Sequence, residues 1–187
     1  MSYHYNNRLT VEGRLVDVVD FTLRVAGKEP VQCRTQTSPP PVKQALTLSC
    51  LVKPPLKKDR NVISGIREWM AVEWGCTSYA YDLHCELFDF CEEVGTPVRA
   101  VYTFKTQGAP PQVWILKISR EYPRIRFTLE YDQNLGLSRY NGPAGRMVYQ
   151  DGRYLEALIQ NHNISGNRDT VRAVRFGPDA ERVGAVR

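Results

Sequence analysis

Residues 124–131 alternate strictly between polar and apolar side chains. The polar members of the alternation are Arg124, Arg126, Thr128 and Glu130. The apolar members are Ile125, Phe127, Leu129 and Tyr131. Because successive side chains of a β-strand point to opposite faces, this period of two predicts a strand with one face on a core. We therefore expect a sheet that is covered on one side and polar on the other.

A helix is predicted immediately before this strand. The two prolines at 110–111 favour a helix start, because a proline in the first turn sacrifices no hydrogen bond. Pro123 ends the segment. The residues between them carry one apolar stripe, formed by Trp114, Ile115 and Ile118. We predict a helix over residues 110–122 that packs on the sheet face bearing Phe127.

Weaker patterns predict the remaining elements. Strands are expected over residues 8–13, 83–91, 98–105 and 146–150, with a hairpin turn around Gly95 between the second and the third. Helices are expected over residues 15–26, 61–72 and 153–160. In the first of these helices, Val16, Val19 and Leu23 have helical spacing. The proline-rich residues 28–60 predict a loop-rich insertion that holds one short strand near 45–52.

Length and charge set limits on the domain organisation and the location. The 187 residues, with a net charge of +5 and 42% hydrophobic residues, fit one domain over 1–165 and a basic, weakly ordered tail over 166–187. The first residues lack the apolar region of a signal peptide, and no run reaches the roughly 18 apolar residues of a membrane span. We expect a cytoplasmic protein in a bacterial host, without a membrane partner. The five cysteines are widely spaced, which favours reduced thiols.

No pattern in the sequence predicts catalysis, a metal or a cofactor. The three histidines are scattered, and none has the spacing to a cysteine or to another histidine that zinc sites use. Gly-x-Ser-x-Gly and phosphate-binding loops are also missing. We predict no catalytic residue, no metal ligand and no cofactor.

A basic surface is the strongest candidate for a binding site. In the strand over 98–105, Arg99 and Lys105 fall on the face opposite to Tyr102, and Arg124 and Arg126 oppose the apolar face of the neighbouring run. If the helices cover one face only, these four side chains share the other. A solvated basic face and a platform for nucleic acid are both compatible with this pattern. The aromatic signatures of RNA-recognition domains are lacking.

Several segments resemble the YubB-like family of phage and plasmid proteins. They are residues 69–78 (WMAVEWGCTS), 101–111 (VYTFKTQGAPP), 127–131 (FTLEY) and 145–152 (GRMVYQDG). The resemblance implies a ferredoxin-like α+β domain and a gene carried by a mobile element. It also implies a place among accessory genes that counter host defences. It carries no catalytic residues to this chain.

Together these features predict an α+β protein with a ferredoxin-like antiparallel sheet, helices on one face and a loop-rich insertion. The predicted function is non-enzymatic: binding of a host defence protein or ribonucleoprotein, as an inhibitor of the anti-CRISPR type that acts by occlusion. Two alternatives remain open. One is nucleic-acid binding through Arg99, Lys105, Arg124 and Arg126. The other is a cryptic RNA-processing nuclease, for which His84 is the candidate histidine on a predicted strand.

Overall fold

The structure, a computed structural model, describes residues 3–28, 43–54, 63–89, 97–134, 141–160 and 171–175. Nine strands and four helices lie within these residues. The strands are β1 His4–Gly13, β2 Gly27–Lys28, β3 Lys43–Gln44, β4 Tyr81–Asp89, β5 Val98–Gln107, β6 Arg126–Asn134, β7 Asn141–Gln150, β8 Arg153–Gln160 and β9 Val171–Arg175. The helices are α1 Leu15–Val25, α2 Leu48–Leu51, α3 Ile63–Glu73 and α4 Gln112–Glu121.

Seven of these strands form one antiparallel sheet. Their order is β4-β5-β1-β6-β7-β8-β9, and β2 pairs with β3 separately. The first strand therefore lies inside the sheet, where Leu9 is opposite Tyr102 on β5 and opposite Leu129 on β6. The helical connection from β1 to β4 passes over β5, and the connection through α4 passes over β1. This arrangement confirms the α+β class and the antiparallel sheet.

Helices α1 and α4 pack on the same face of the sheet. Phe21 of α1 makes edge-to-face ring contacts with Tyr102, Tyr122 and Phe127 at centroid distances of 5.3 to 6.4 Å. Trp114 of α4 is fully buried in the same core. The predicted stripe of α4 and the predicted inward face of β6 are thus both confirmed. We call the opposite side of the sheet the outer face.

Helix α1 has two apolar stripes, and the predicted one faces away from the core. Val18, Phe21 and Val25 are fully buried. Val16 and Leu23 are exposed instead. The expectation of a helix is confirmed, but its orientation is the reverse of what the spacing of Val16, Val19 and Leu23 indicated. The large ring of Phe21 fits the space between the helix and the sheet aromatics, which explains why that stripe is the inner one.

Two predicted elements have the wrong type. Residues 153–160 form the strand β8 and not a helix, because they pair with β7 and β9 along most of their length. The short strand expected near 45–52 is instead the single helical turn α2. Within the predicted tail, Val171–Arg175 form β9. Residues 29–42 and 55–60 of the predicted insertion lie outside the described residues, as do residues 176–187.

No helix among the described residues is long and apolar enough to cross a membrane.

Candidate functional site

The outer face carries a groove that crosses the middle of the sheet. Its volume is 660 Å³, and strands β4 to β8 all contribute to its walls. Six charged side chains line it, three basic and three acidic: Arg8, Lys105, Arg146, Asp82, Glu130 and Asp132. Opposite charges therefore alternate along the groove, whereas a platform for a polyanion would present one sign.

The centre of the groove is a row of ion pairs. Strand register places Arg8 of β1 opposite Glu130 of β6, and Glu130 opposite Arg146 of β7. The Arg146 guanidinium lies 3.8 Å from the Glu130 carboxylate and 3.4 Å from that of Glu156 on β8. On the other side, Arg8 lies 4.0 Å from Glu86 of β4. Arg146 is thus held between carboxylates of the two strands beside it, whereas the carboxylate near Arg8 lies two strands away, on β4.

The end of the groove near β4 depends on a local backbone irregularity. Asp82 has a φ of 51°, at a register shift between β4 and β5. This conformation brings its carboxylate to 2.9 Å from the Lys105 ammonium. The hydrogen bond to Asp82, with the attraction between the two charges, raises the pKa of Lys105. Lys105 therefore stays protonated, but its ammonium group is already paired with the Asp82 carboxylate.

The amide of Asn6 completes this end of the groove. Its Nδ2 donates a hydrogen bond of 2.7 Å to the Asp132 carboxylate. Asn6 is opposite Lys105 on one side and opposite Asp132 on the other. A polar row therefore runs from β5 through β1 to β6, parallel to the row that contains Arg8.

The four predicted binding residues do not form one cluster. Arg99 of β5 and Arg126 of β6 both lie opposite Glu12 of β1, with Arg99 3.8 Å from its carboxylate. Lys105 is six residues further along β5, about 20 Å from Arg99. Arg124 precedes β6 and lies near α1. There the pKa of Asp17 is lowered by its hydrogen bond to Arg14, and the charge of Arg124 adds a smaller contribution.

The residues of the groove were missed for two reasons. The strand predicted from residue 8 starts at His4, so Asn6 was left out of the outer face. The helix predicted over residues 153–160 hid the position of Glu156, which lies opposite Val148, two residues along β7 from Arg146. The period of two in β1, extended back to Asn6, was the sequence signal that places Asn6 on the outer face.

The described residues include two histidines and a cysteine whose surroundings bear on the catalytic alternatives. They contain no group of three or more His, Cys, Asp or Glu that could hold a metal ion. His84 is exposed on β4, opposite Thr103. His4 shares a hydrogen bond of 2.5 Å with the Tyr81 hydroxyl. Burial, and the nearby charge of Glu86, raise the pKa of the Cys85 thiol, which disfavours the nucleophilic thiolate.

The similarity of this chain to known proteins is limited. No family model matches the sequence, and no curated protein matches it. Among solved structures, the chain is similar to the crystal structure of protein Api92 from Yersinia pseudotuberculosis, which carries the family model DUF1281. The identity is 10% and the TM-score is 0.47, over 84% of this chain and 97% of Api92. A likeness of this degree says nothing about activity or partners.

Proposed function

We propose that this chain is a non-enzymatic binding protein that holds a segment of a partner protein in the groove of the outer face. The observation that carries the proposal is the alternating row Arg8, Glu130, Arg146 and Glu156. The outer face carries side chains of both signs. Basic side chains on it include Arg8, Arg99, Lys105, Arg126 and Arg146, and acidic ones include Glu12, Asp82, Glu86, Glu130, Asp132 and Glu156.

A mixed surface of this kind suits a protein better than a nucleic acid. A phosphate that approached Arg146 would meet Glu130 and Glu156 at the same guanidinium. Neutralising phosphates without competing carboxylates is what gives nucleic-acid binding its affinity and salt dependence. A protein segment can present both signs, so that it exchanges ion pairs with the groove instead of only breaking them.

The wider role is part of the same proposal. The sheet order β4-β5-β1-β6, with α1 after β1 and α4 between β5 and β6, supports a ferredoxin-like domain to which β7, β8 and β9 add a meander. The resemblance to the YubB-like family supports a mobile-element accessory protein. Its partner is then a host defence protein, which the chain inhibits by occluding a functional surface.

The experiment is an affinity capture from bacterial lysate with a tagged chain and its variants, each with and without nuclease treatment. Arg146→Glu reverses the central charge of the groove. The matched control is Arg67→Glu on α3, which makes the same charge change at an exposed position on a helix.

We expect one stoichiometric protein that survives nuclease treatment, is captured by Arg67→Glu and is lost with Arg146→Glu. Titration of the identified protein should then show a weak dependence on salt, because a mixed interface releases few counterions. Capture that disappears with nuclease, together with tight binding of an isolated oligonucleotide, overturns the proposal in favour of nucleic-acid binding. Equal capture by both variants would show that the groove does not bind the captured protein.

A further inference from the structure

One corner of the outer face carries two exposed arginines, Arg126 and Arg153. Neither guanidinium group has a carboxylate of the described residues within 4.0 Å. Three other arginines of the same face are each paired with a carboxylate: Arg8, Arg99 and Arg146. Glu12, which is opposite Arg126, lies 3.8 Å from Arg99 instead. The positive charge of this corner is therefore open to a partner.

Strand register brings the two arginines close together. Phe127 of β6 is opposite Tyr149 of β7. The next positions on these two strands are Arg126 and Gln150, and Gln150 is opposite Arg153 of β8. Because adjacent strands are about 4.8 Å apart, the Cα atoms of the two arginines are about 10 Å apart. Opposing residues of a strand pair share a face, so both arginines lie beside Gln150 on the outer face.

The turn between β7 and β8 fixes the backbone of this corner. Asp151 and Gly152 have φ values of 51° and 67°, which form a tight two-residue turn. The Gly152 amide donates a hydrogen bond of 3.0 Å to the Ser119 hydroxyl of α4. The turn is thus fastened to the helix layer, and Arg153 follows it directly. A backbone that is ordered before binding lowers the entropic cost of forming an interface.

We propose that this corner, formed by Arg126, Gln150 and Arg153, binds an acidic segment of the partner protein, with one carboxylate on each arginine. The planar guanidinium group pairs with a carboxylate through two parallel hydrogen bonds. Alternate residues of an extended segment project to the same side about 7 Å apart. Two long arginine side chains that start about 10 Å apart can both reach such a pair of carboxylates.

The surroundings of the corner favour an acidic peptide over a nucleic acid. Glu12 lies opposite Arg126 on β1, and the exposed Asp151 is two residues before Arg153. Carboxylates therefore border the corner on two sides and limit it to two free arginines. The affinity of a protein for a nucleic acid grows with the number of phosphates that it neutralises, so two arginines contribute little. A short acidic segment needs only two ion pairs.

The corner and the groove lie on the same three strands. Along β6, Arg126 is four residues from Glu130, a distance of about 14 Å. Along β7, Gln150 is four residues from Arg146. About four extended residues of the partner span this distance. The inference rests on the proposed function for the partner, and it adds that acidic residues lie about four positions from the segment held in the groove.

The test is a titration of fluorescein-labelled hexaglutamate with the full chain, measured by fluorescence anisotropy. We expect saturable binding, and a dissociation constant about tenfold higher for Arg126→Gln with Arg153→Gln, because both ion pairs are lost. The matched control is Lys53→Gln with Arg67→Gln, which removes two exposed cations near α2 and on α3. It lowers the net charge equally and should bind like the unsubstituted chain. Circular dichroism checks the fold of each variant.

Equal binding of hexaglutamate by the two double variants overturns the proposal, and so does a lack of binding to the unsubstituted chain at millimolar concentration. A hexathymidylate that binds more tightly than hexaglutamate, and is lost with the same arginines, assigns the corner to nucleic acid instead. The proposed function fails separately. If hexaglutamate does not bind but capture still depends on Arg146, only the corner is excluded. If hexaglutamate binds but capture is indifferent to Arg146→Glu, only the groove is excluded.

Discussion

The indole Nε1–H of Trp114 donates a hydrogen bond of 2.8 Å to the main-chain carbonyl of Leu48, 66 residues earlier in the chain. The indole of Trp74 makes the equivalent bond, at 2.9 Å, to the carbonyl of Val52. Two buried tryptophans therefore fix the ends of α2 against the core. This contact explains why residues 48–51 form a helical turn although their composition favoured a strand.

Removing this anchor should destabilise the protein strongly. We expect Trp114→Ala to lower the free energy of unfolding by roughly 3–5 kcal/mol, because it leaves a large cavity and removes one of the two hydrogen bonds that the Leu48 carbonyl accepts. Urea denaturation measures the change. Val72→Ala on the exposed side of α3 is the control, and its effect should stay within about 0.5 kcal/mol. An unchanged midpoint in Trp114→Ala is incompatible with the packing described for α4.

Stability should fall at alkaline pH through Tyr102. Its hydroxyl is buried and donates a hydrogen bond of 3.2 Å to Thr22, and burial raises its pKa from 10.0 to about 12. Because the unfolded chain loses this proton first, the stabilisation is complete below pH 10 and is lost as the pH rises towards 12. The full loss is about 3 kcal/mol for two pKa units.

Urea denaturation of the Tyr102→Phe variant between pH 8 and 11.5 measures this contribution. The variant should lose less stability over that range than the unsubstituted chain. Tyr3→Phe, at an exposed position, should follow the unsubstituted chain. Parallel curves of stability against pH for all three proteins would show that the pKa of Tyr102 is not raised in the folded chain.

Two glycines should respond oppositely to alanine. A Cβ at Gly145 would lie 2.5 Å from the Tyr131 hydroxyl oxygen, whereas a Cβ at Gly65 of α3 has no atom within 4 Å. We expect Gly145→Ala to lower the free energy of unfolding by about 1–3 kcal/mol, because the tyrosine ring must move. Gly65→Ala should raise it by about 0.5–1 kcal/mol, since alanine favours a helix. Thermal unfolding of the pair measures both signs.

Exchanging the two charges in the centre of the groove should affect binding more than folding. The ion pair between Arg146 and Glu130 is half exposed, so the double variant Arg146→Glu with Glu130→Arg should change stability by at most about 1 kcal/mol. Its capture of the partner should be lost, because the exchange places like charges at the neighbouring positions 8 and 130, and at 146 and 156, so the charges no longer alternate. A double variant that still binds like the unsubstituted chain would show that binding does not depend on the order of charges along the groove.

Charge reversal of the two arginines at the end of β6 provides a further comparison. Arg124→Glu with Arg126→Glu should leave folding nearly intact, because both side chains are exposed. Since Arg124 lies near α1 and Arg126 opposite Glu12, the double variant should affect a partner held in the groove less than Arg146→Glu does. The ratio of the two dissociation constants is the measurement. A larger effect of the β6 pair would favour a site at that end of the outer face.

The elements that the sequence predicted correctly are those whose local pattern agrees with their tertiary environment. Phe127 and Leu129 alternate with polar residues on a half-covered strand, and Trp114 lies on the buried stripe of a helix that follows two prolines. The local pattern predicted the wrong type of element where pairing with neighbouring strands determines the structure. The Leu, Ala and Ile content of residues 153–160 favours a helix, but pairing with β7 and β9 makes them a strand.

The candidate site was predictable only in part. Strand periodicity placed Arg99, Lys105 and Arg126 on the outer face correctly. It could not show that Asp82, through a positive φ at a register shift, reaches Lys105. It also could not show that Arg146 lies between two carboxylates from different strands. The outer face was predicted to be basic, but cross-strand register, which composition does not show, also places carboxylates on it, so its charge is mixed.

The position of β1 has a consequence for the order of events during synthesis. Leu9 leaves the ribosome before both of its neighbours in the sheet, Tyr102 and Leu129, which follow about 90 and 120 residues later. Strand β1 therefore stays without its sheet partners until those residues have been made. Contacts between such distant residues slow folding and lengthen the exposure of strand edges. A nascent chain stalled before residue 98 has neither partner for this strand, so both of its edges stay unpaired.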